Sequence, residues 1–141
     1  MTFQDLAKSY LEKARARRQA LAVLFDARDF SDVVREAQAI VELAGKGILR
    51  HLGVEPPKVH DVGPLLRQYA DRLPPGAWER LIEESRRLRR ERELAFSGDL
   101  DFIPTDEYTR DDARRAIDAA DLALGLMEKV LQAPRATGSP P

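Results

Sequence analysis

The sequence contains no cysteine and only two histidines among its 141 residues. The absence of cysteine excludes disulfide bonds, thiol nucleophiles and cysteine zinc sites, and it is typical of a protein in the reducing cytoplasm. His51 and His60 lack the four-residue spacing that places two zinc ligands on one helical face. The acidic residues between 99 and 112 lack the glycine and the closing glutamate of a calcium loop. We therefore predict neither a metal site nor a cofactor.

Long apolar runs, internal repeats and strand patterns are also absent. No stretch approaches the roughly 20 apolar residues of a membrane-spanning helix, so no membrane partner is expected. The first ten residues, MTFQDLAKSY, lack the uncharged apolar core of a signal peptide. No glycine-rich phosphate loop and no nucleophile elbow occurs. These absences predict a cytoplasmic protein without the common motifs of nucleotide hydrolysis or acyl transfer.

The composition is that of one globular helical domain. Hydrophobic residues make up 43% and charged residues 33% of the chain, which is long enough for one continuous core. The formal net charge of -1 gives no global positive field of the kind that attracts nucleic acids, but it leaves room for one basic face. We predict a helical domain at residues 1–132 and a disordered tail at residues 133–141, APRATGSPP.

Apolar residues recur at three- and four-residue spacing along most of the chain, which predicts amphipathic helices. The second such segment is apolar on nearly all sides and leaves only a narrow polar strip, as is typical of a central bundle helix. Gly45 and Gly47 within it each cost about 1 kcal/mol relative to alanine, so we expect a neighbouring helix to approach them closely.

Start and stop signals divide the chain into four long helices and one short helix. The signals are the capping pairs Thr2 with Asp5 and Thr109 with Asp112, the cap Ser31 or Asp32, and the stop Gly53. The short helix follows a proline loop, and the next long helix runs from about Ala77 to Phe96. This order predicts an all-α fold, an up-and-down four-helix bundle with an additional short helix.

Some arginines occupy positions where the apolar stripes call for an apolar side chain. Arg89 and Arg92 fall in the stripe set by Trp78 on the fourth long segment, and Arg17 and Arg18 interrupt the stripe of the first. Guanidinium groups are almost never buried without a partner. The stripe at these points must therefore open into a cleft, face an acidic partner, or lie at a subunit interface.

Two interpretations of Arg89 and Arg92 stay open. In the first, their planar forks bind the phosphate of an RNA or a nucleotide. In the second, they reach past the helix edge and pair with glutamates of the same helix. Those glutamates are Glu79, Glu83, Glu84, Glu91 and Glu93.

Two further side chains are candidates for ligand binding. Lys46 stands between Glu42 and Arg50 in a ladder of four-residue steps, which usually only stabilises a helix. His60 precedes Asp61, a pair capable of proton transfer when a substrate is in reach, but a loop histidine more often satisfies backbone groups. Asp61 is also suited to capping the short helix.

The segment from Ala37 to Leu66, AQAIVELAGKGILRHLGVEPPKVHDVGPLL, resembles the signature of HEPN domains (higher eukaryotes and prokaryotes nucleotide-binding). The resemblance extends to RERELAFSGD and IPTDEYT further along the chain and covers about Leu6 to Leu131. The matching signature positions are Gln38, Glu42, Lys46, Pro56, Pro57, His60 and Asp61.

The resemblance implies a helical bundle that commonly dimerises, with roles in RNA cleavage, nucleotide binding or partnership with small nucleotidyltransferases. HEPN ribonucleases use an arginine followed after four to six residues by a histidine, and neither His51 nor His60 follows an arginine at that spacing. We therefore expect a non-catalytic module that dimerises and binds a nucleotide or RNA phosphate, or a nucleotidyltransferase, in a system of the toxin–antitoxin type. The alternatives are a ribonuclease toxin with a divergent active site and a purely structural oligomer. The candidate ligand-binding residues are Arg89, Arg92, Lys46 and His60.

Overall fold

A computed structural model describes residues 2–56, 58, 62–95 and 108–133, without the side chains of residues 3 and 91–95. These residues contain five α-helices, a 3-10 turn and no strand. The fold is all-helical, as the periodicity predicts. The elements are α1 (Phe3–Asp26), α2 (Phe30–His51), α3 (Gly63–Gln68), the 3-10 turn (Ala70–Arg72), α4 (Trp78–Ala95) and α5 (Arg110–Gln132). Of the tail predicted at 133–141, only Ala133 lies within the described residues.

The first and last helices begin at the capping boxes that the sequence predicts. The Asp112 backbone N–H donates to Thr109 Oγ1 at 3.2 Å, and the Thr109 backbone N–H donates to Asp112 Oδ2 at 2.9 Å. Thr2 and Asp5 form the same reciprocal pair at the start of α1. Both boxes satisfy N–H groups that the helix itself leaves without acceptors.

The start of α2 differs from the prediction. Asp29 caps it by accepting the Asp32 backbone N–H at 3.4 Å, so neither Ser31 nor Asp32 is the cap. The helix can begin earlier because Arg28 adopts a left-handed backbone conformation, with φ of 61°, which turns the chain within two residues. The predicted stop is confirmed: Gly53, with φ of 80°, follows the end of α2.

Contacts between side chains fix the direction of each helix. Arg15 bonds Glu128 and Arg18 bonds Asp121, so α1 and α5 run in opposite directions. Gly76 packs on Leu126, while Glu84 bonds Arg115 further along, so α4 is also antiparallel to α5. Because α2 returns antiparallel to α1, the four long helices alternate up and down, and α2 is parallel to α5.

The parallel helices α2 and α5 form the centre of the bundle, with α1 and α4 packed on either side of them. Small residues allow this close approach: α5 presents five alanines that are at most 1% exposed, and α2 presents Gly47 to Met127 and to Tyr10. A Cβ atom at Gly47 would lie 3.1 Å from the Tyr10 Cβ, tighter than ordinary van der Waals contact. The buried alanines are Ala113, Ala116, Ala119, Ala120 and Ala123.

The short helix α3 is held against both α2 and α4. Val62, which precedes α3 and is 1% exposed, packs directly on the backbone of Gly45. The expected close approach of a neighbouring helix is therefore confirmed at Gly47, whereas at Gly45 the approaching residue is Val62, which lies just before α3. No helix within the described ranges is both long enough and apolar enough to cross a lipid bilayer.

Candidate anion-binding site

The inner face of α4 changes character at Arg89. Leu81, Ser85 and Leu88 are at most 3% exposed, and they belong to the stripe that packs on α2 and α5. Arg89 lies about three helical turns after Trp78 and therefore in the same angular sector. Arg89 is nevertheless exposed. The α4 stripe thus leaves the core at this residue, and it ends on a guanidinium group in contact with solvent.

One turn before Arg89, a buried carboxylate joins two arginines from different helices. Glu84 is 9% exposed and accepts from Arg87 Nη2 at 2.9 Å and from Arg115 Nη2 at 3.0 Å. Burial raises the pKa of the Glu84 carboxyl, but the hydrogen bonds from Arg115 and Arg87 outweigh it and hold this pKa below its ordinary value. This cluster connects α4 to α5 five residues before Arg89.

Of the predicted ladder on α2, the step between Glu42 and Lys46 is formed and partly shielded from water, whereas Arg50 pairs with Glu55 beyond the helix. Lys46 Nζ donates to Glu42 Oε1 at 2.8 Å, and the nearly buried Gln38 donates to Glu42 Oε2 at 3.3 Å. The Lys46 and Glu42 side chains retain only 22% and 13% of their exposure. Lys46 therefore already neutralises one carboxylate of its own helix.

The structure does not bring Lys46 and Arg89 together. Lys46 adjoins Gly47, which packs on Met127, and the start of α4 lies at the same level because Gly76 packs on Leu126. From Trp78 to Arg89 the helix rises roughly 16 Å, so Arg89 lies near the other end of the bundle. The Arg92 side chain and His60 lie outside the described residues, as does Asp61.

Arg17 and Arg18, which interrupt the stripe of α1, face acidic partners. Arg17 Nη1 lies 3.0 Å from Glu36 Oε1, and Arg18 bonds Asp121 through Nε at 2.5 Å and Nη2 at 3.2 Å. The hydrogen bond to Asp121 raises the pKa of Arg18 further above its usual value. Of the three predicted surroundings for these arginines, an acidic partner is the one observed.

The carboxyl end of α2 carries a second group of cations. Arg72 Nη2 donates to the Leu52 carbonyl at 2.7 Å, where the helix leaves its last carbonyls without intrahelical donors. Arg50 Nη1 lies 2.8 Å from Glu55 Oε2, just beyond the end of the helix. Cations at this position also interact favourably with the helix dipole. These contacts stabilise the end of α2, and they leave the buried Nε of Arg50 without a hydrogen-bond partner among the described residues.

Two arginines of α5 that the sequence does not single out also stand apart. Arg110 and Arg114 are exposed, and both lie over the ring of Phe25 near the α1–α2 turn. A signal for them exists along α5, where Glu128 and Asp121 bond arginines of α1 and the next position, seven residues earlier, is Arg114. On the side of α5 that faces α1, the seven-residue series thus changes from acidic side chains to a basic one near the α1–α2 turn.

The chemistry available at Arg89 is that of a charged hydrogen-bond donor. Guanidinium groups present fixed N–H forks that match phosphate oxygens in two-point contacts. Within the described part of the chain, no group of three or more acidic or histidine side chains is arranged to hold a metal ion.

The comparisons with known proteins give one match. The model of the HEPN domain family matches residues 7–130, which is most of the chain. No curated protein and no solved structure matches it at a significant level.

Proposed function

The chain belongs to the HEPN domain family, and we propose that it is a non-catalytic member that dimerises and holds a nucleotide or RNA phosphate through Arg89. A HEPN domain is consistent with a nucleotide-binding or ribonuclease-like module. The binding role is favoured because no histidine follows an arginine at the ribonuclease spacing anywhere in the sequence. Without such a histidine, metal-free RNA cleavage lacks its usual proton carrier near neutral pH.

The observation that supports this proposal most is the exposure of Arg89 on a helix face that is otherwise buried. Ser85 and Leu88 are within one turn and are 3% and 0% exposed, yet Arg89 in the same sector contacts solvent. A residue that only solvates a helix is expected on the outer face. Arg89 instead stands at the rim of the core, where a ligand or a second subunit would cover it.

The other three predicted ligand-binding residues are Arg92, Lys46 and His60, and the proposal treats each of them differently. Arg92 lies three residues further along α4, so its backbone is on the same side of the helix as Arg89. Lys46 is bonded to Glu42 and lies far from Arg89 along the bundle, so we assign it to the stability of α2. His60 stays a prediction from the sequence alone.

The proposed dimer and partner rest on the resemblance to HEPN proteins, which often dimerise. HEPN ribonucleases build their cleft from both protomers, and a dimer of this chain would likewise place two copies of α4 at one cleft. A small nucleotidyltransferase is the proposed protein partner, within a toxin–antitoxin type of system. Sedimentation of the full chain, alone and with a nucleotidyltransferase encoded beside it, measures both associations.

The binding site is tested with Arg89→Gln, using Arg80→Gln as the matched control on an exposed position of the same helix. ATP and a labelled single-stranded RNA are titrated at about 50 and 200 mM salt. We expect binding to weaken as salt rises and to fall by roughly tenfold in Arg89→Gln, with Arg80→Gln like the unmodified protein. Equal affinity in the two variants would refute Arg89 as the site.

A further inference from the structure

Two kinds of contact join α1 and α5 along their interface, ion pairs at one end and contacts between arginines and aromatic rings at the other. Arg15 bonds Glu128 at 3.1 Å. Seven residues earlier on α5, and closer to the α1–α2 turn, Asp121 bonds Arg18. The next heptad position on α5 is Arg114, which lies over the Phe25 ring. Arg15 and Arg18 of α1 thus have acidic partners on α5. One further heptad towards the α1–α2 turn, α5 carries the cation Arg114 instead of an acid.

The two cations at this level share one aromatic platform. The Arg110 guanidinium carbon lies 5.3 Å from the centroid of the Phe25 ring and 5.8 Å from that of Phe30, and the Arg114 carbon lies 5.9 Å from that of Phe25. The two rings are themselves 5.7 Å apart and tilted by 54°. A guanidinium over a ring is attracted by the ring face and keeps N–H groups available for hydrogen bonds.

The arrangement brings like charges close together at the start of α5. Arg110 and Arg114 are four residues apart on one helix, a spacing at which like charges repel. Arg110 is also the first residue of α5, where the helix dipole already places positive charge. Arg28, three residues after Phe25 in the α1–α2 turn, adds a third exposed arginine at this end.

In the part of the chain that the structure describes, no carboxylate forms an ion pair with Arg110 or Arg114. Asp111 and Asp118 are three and four residues from Arg114, at spacings where helical ion pairs form, yet Arg114 pairs with neither. Asp112 is already engaged in the capping box of Thr109. Within the described residues, Arg110 and Arg114 contact aromatic rings and no acid.

We propose that Arg110 and Arg114, held on Phe25 and Phe30, form a binding site for a terminal phosphate group. A phosphate monoester carries a charge of about -1.5 to -2 near neutral pH, which matches two cations, whereas a carboxylate or a single phosphodiester neutralises only one. Its three oxygens accept from both guanidinium forks. The terminal phosphate of a mononucleotide and the phosphorylated end of an RNA share this chemistry.

This site is separate from the one proposed at Arg89. Arg110 and Arg114 are on the flank of α5 that faces α1, whereas Arg115, which bonds Glu84, faces α4. The phosphate site goes beyond the proposed function, because it can exist whether or not Arg89 binds a ligand. Arg89→Gln should accordingly leave it unchanged.

The test uses the full chain and the double variant Arg110→Gln with Arg114→Gln. A matched control, Lys8→Gln with Lys13→Gln, removes two exposed charges from the first half of α1. The probes are AMP against adenosine, and one RNA decamer with a 5′-phosphate against the same decamer with a 5′-hydroxyl. Binding is measured by calorimetry at low salt, and helical content by circular dichroism.

We expect AMP or the phosphorylated decamer to bind the unmodified chain and the lysine control alike, and the double arginine variant roughly tenfold more weakly or worse. Adenosine and the 5′-hydroxyl decamer should bind more weakly than their phosphorylated counterparts. Binding of AMP without the decamer identifies a mononucleotide as the source, and the reverse identifies an RNA end. Should the double variant lose helical content, Arg114→Gln alone replaces it, with a smaller expected loss.

Three results would overturn the site. The first is equal affinity of the phosphorylated probes for the double arginine variant and the unmodified chain. The second is arginine-dependent binding that does not distinguish the 5′-phosphate from the 5′-hydroxyl decamer, since phosphodiesters would then account for it. The third is the absence of any phosphate-dependent binding at millimolar probe, which would leave the stacked arginines as a purely structural contact between α5 and the α1–α2 turn.

Discussion

Arg115 donates from Nη2 and Nε to the same oxygen of Glu84, at 3.0 and 3.3 Å, across 31 residues of sequence. The other oxygen of Glu84 accepts from Arg87 on its own helix at 2.9 Å. The Glu84 side chain keeps 11% of its exposure, while that of Arg115 keeps 59%. One nearly buried carboxylate therefore ties α4 to α5, and the arginine that reaches it from α5 stays largely in solvent.

Replacement of Glu84 by glutamine should destabilise the protein. The variant loses the acceptor charge while Arg87 remains partly buried beside it, and we expect a loss of about 1–3 kcal/mol in the free energy of unfolding. Urea denaturation near pH 7 measures it. Glu83→Gln is the matched control, because Glu83 pairs with Arg86 on the exposed side and should cost less than about 0.5 kcal/mol. Equal losses in the two variants would mean that the contact to α5 contributes nothing.

The contribution of Glu84 should also depend on pH. The pKa of its carboxyl is lowered in the folded state, so the ionised group stabilises the protein above the ordinary value of 4.5. As the pH falls below 4.5 and through the lower pKa of the folded state, this stabilisation is lost. The difference in unfolding free energy between the unmodified protein and Glu84→Gln should stay constant down to about pH 5.5 and shrink by about pH 4. A difference that grows on acidification would contradict the direction of the pKa shift.

Gly45 and Gly125 should respond in opposite ways to replacement by alanine. Both lie inside helices, where alanine is favoured over glycine by about 1 kcal/mol. A Cβ at Gly45 would overlap the Val62 side chain, whereas a Cβ at Gly125 meets nothing within 4 Å. We expect Gly45→Ala to lower the unfolding free energy by roughly 1–2 kcal/mol and Gly125→Ala to raise it by up to about 1 kcal/mol. Thermal denaturation of both variants measures these changes in stability. A stabilised Gly45→Ala variant would show that α3 moves away from α2 without an energetic cost.

RNA should survive incubation with the protein when no metal is present. The sequence lacks a histidine at the ribonuclease spacing after an arginine, so the usual proton carrier is missing. Gel analysis of a labelled RNA with a molar excess of protein tests this. The control is the double variant His51→Ala with His60→Ala. Cleavage that disappears in this variant would establish a divergent ribonuclease site with a histidine, and cleavage that persists in it would come from a contaminant or from a site that uses neither histidine.

Local signals in the sequence predicted most of the helices. Thr2 with Asp5 and Thr109 with Asp112 were recognisable as capping pairs because the hydrogen bonds involved join residues three apart. The start of α2 was predicted wrongly, because the cap depends on the left-handed conformation of Arg28, which a residue other than glycine rarely adopts. Gly45 was predicted to be a point of close approach, but the sequence did not identify Val62 as the neighbour.

The sequence by itself determined the helical class, the family and the presence of arginines within apolar stripes, because periodicity and caps depend only on residues within a few positions of each other. Only the tertiary structure decided which charges meet. In the folded chain Arg18 pairs with Asp121, and Glu84 pairs with Arg115. Lys46 lies far from Arg89, and Arg110 lies over the ring of Phe25. These relationships depend on which helices pack together and at what level, and that level is set by the small residues that allow α2 and α5 to approach.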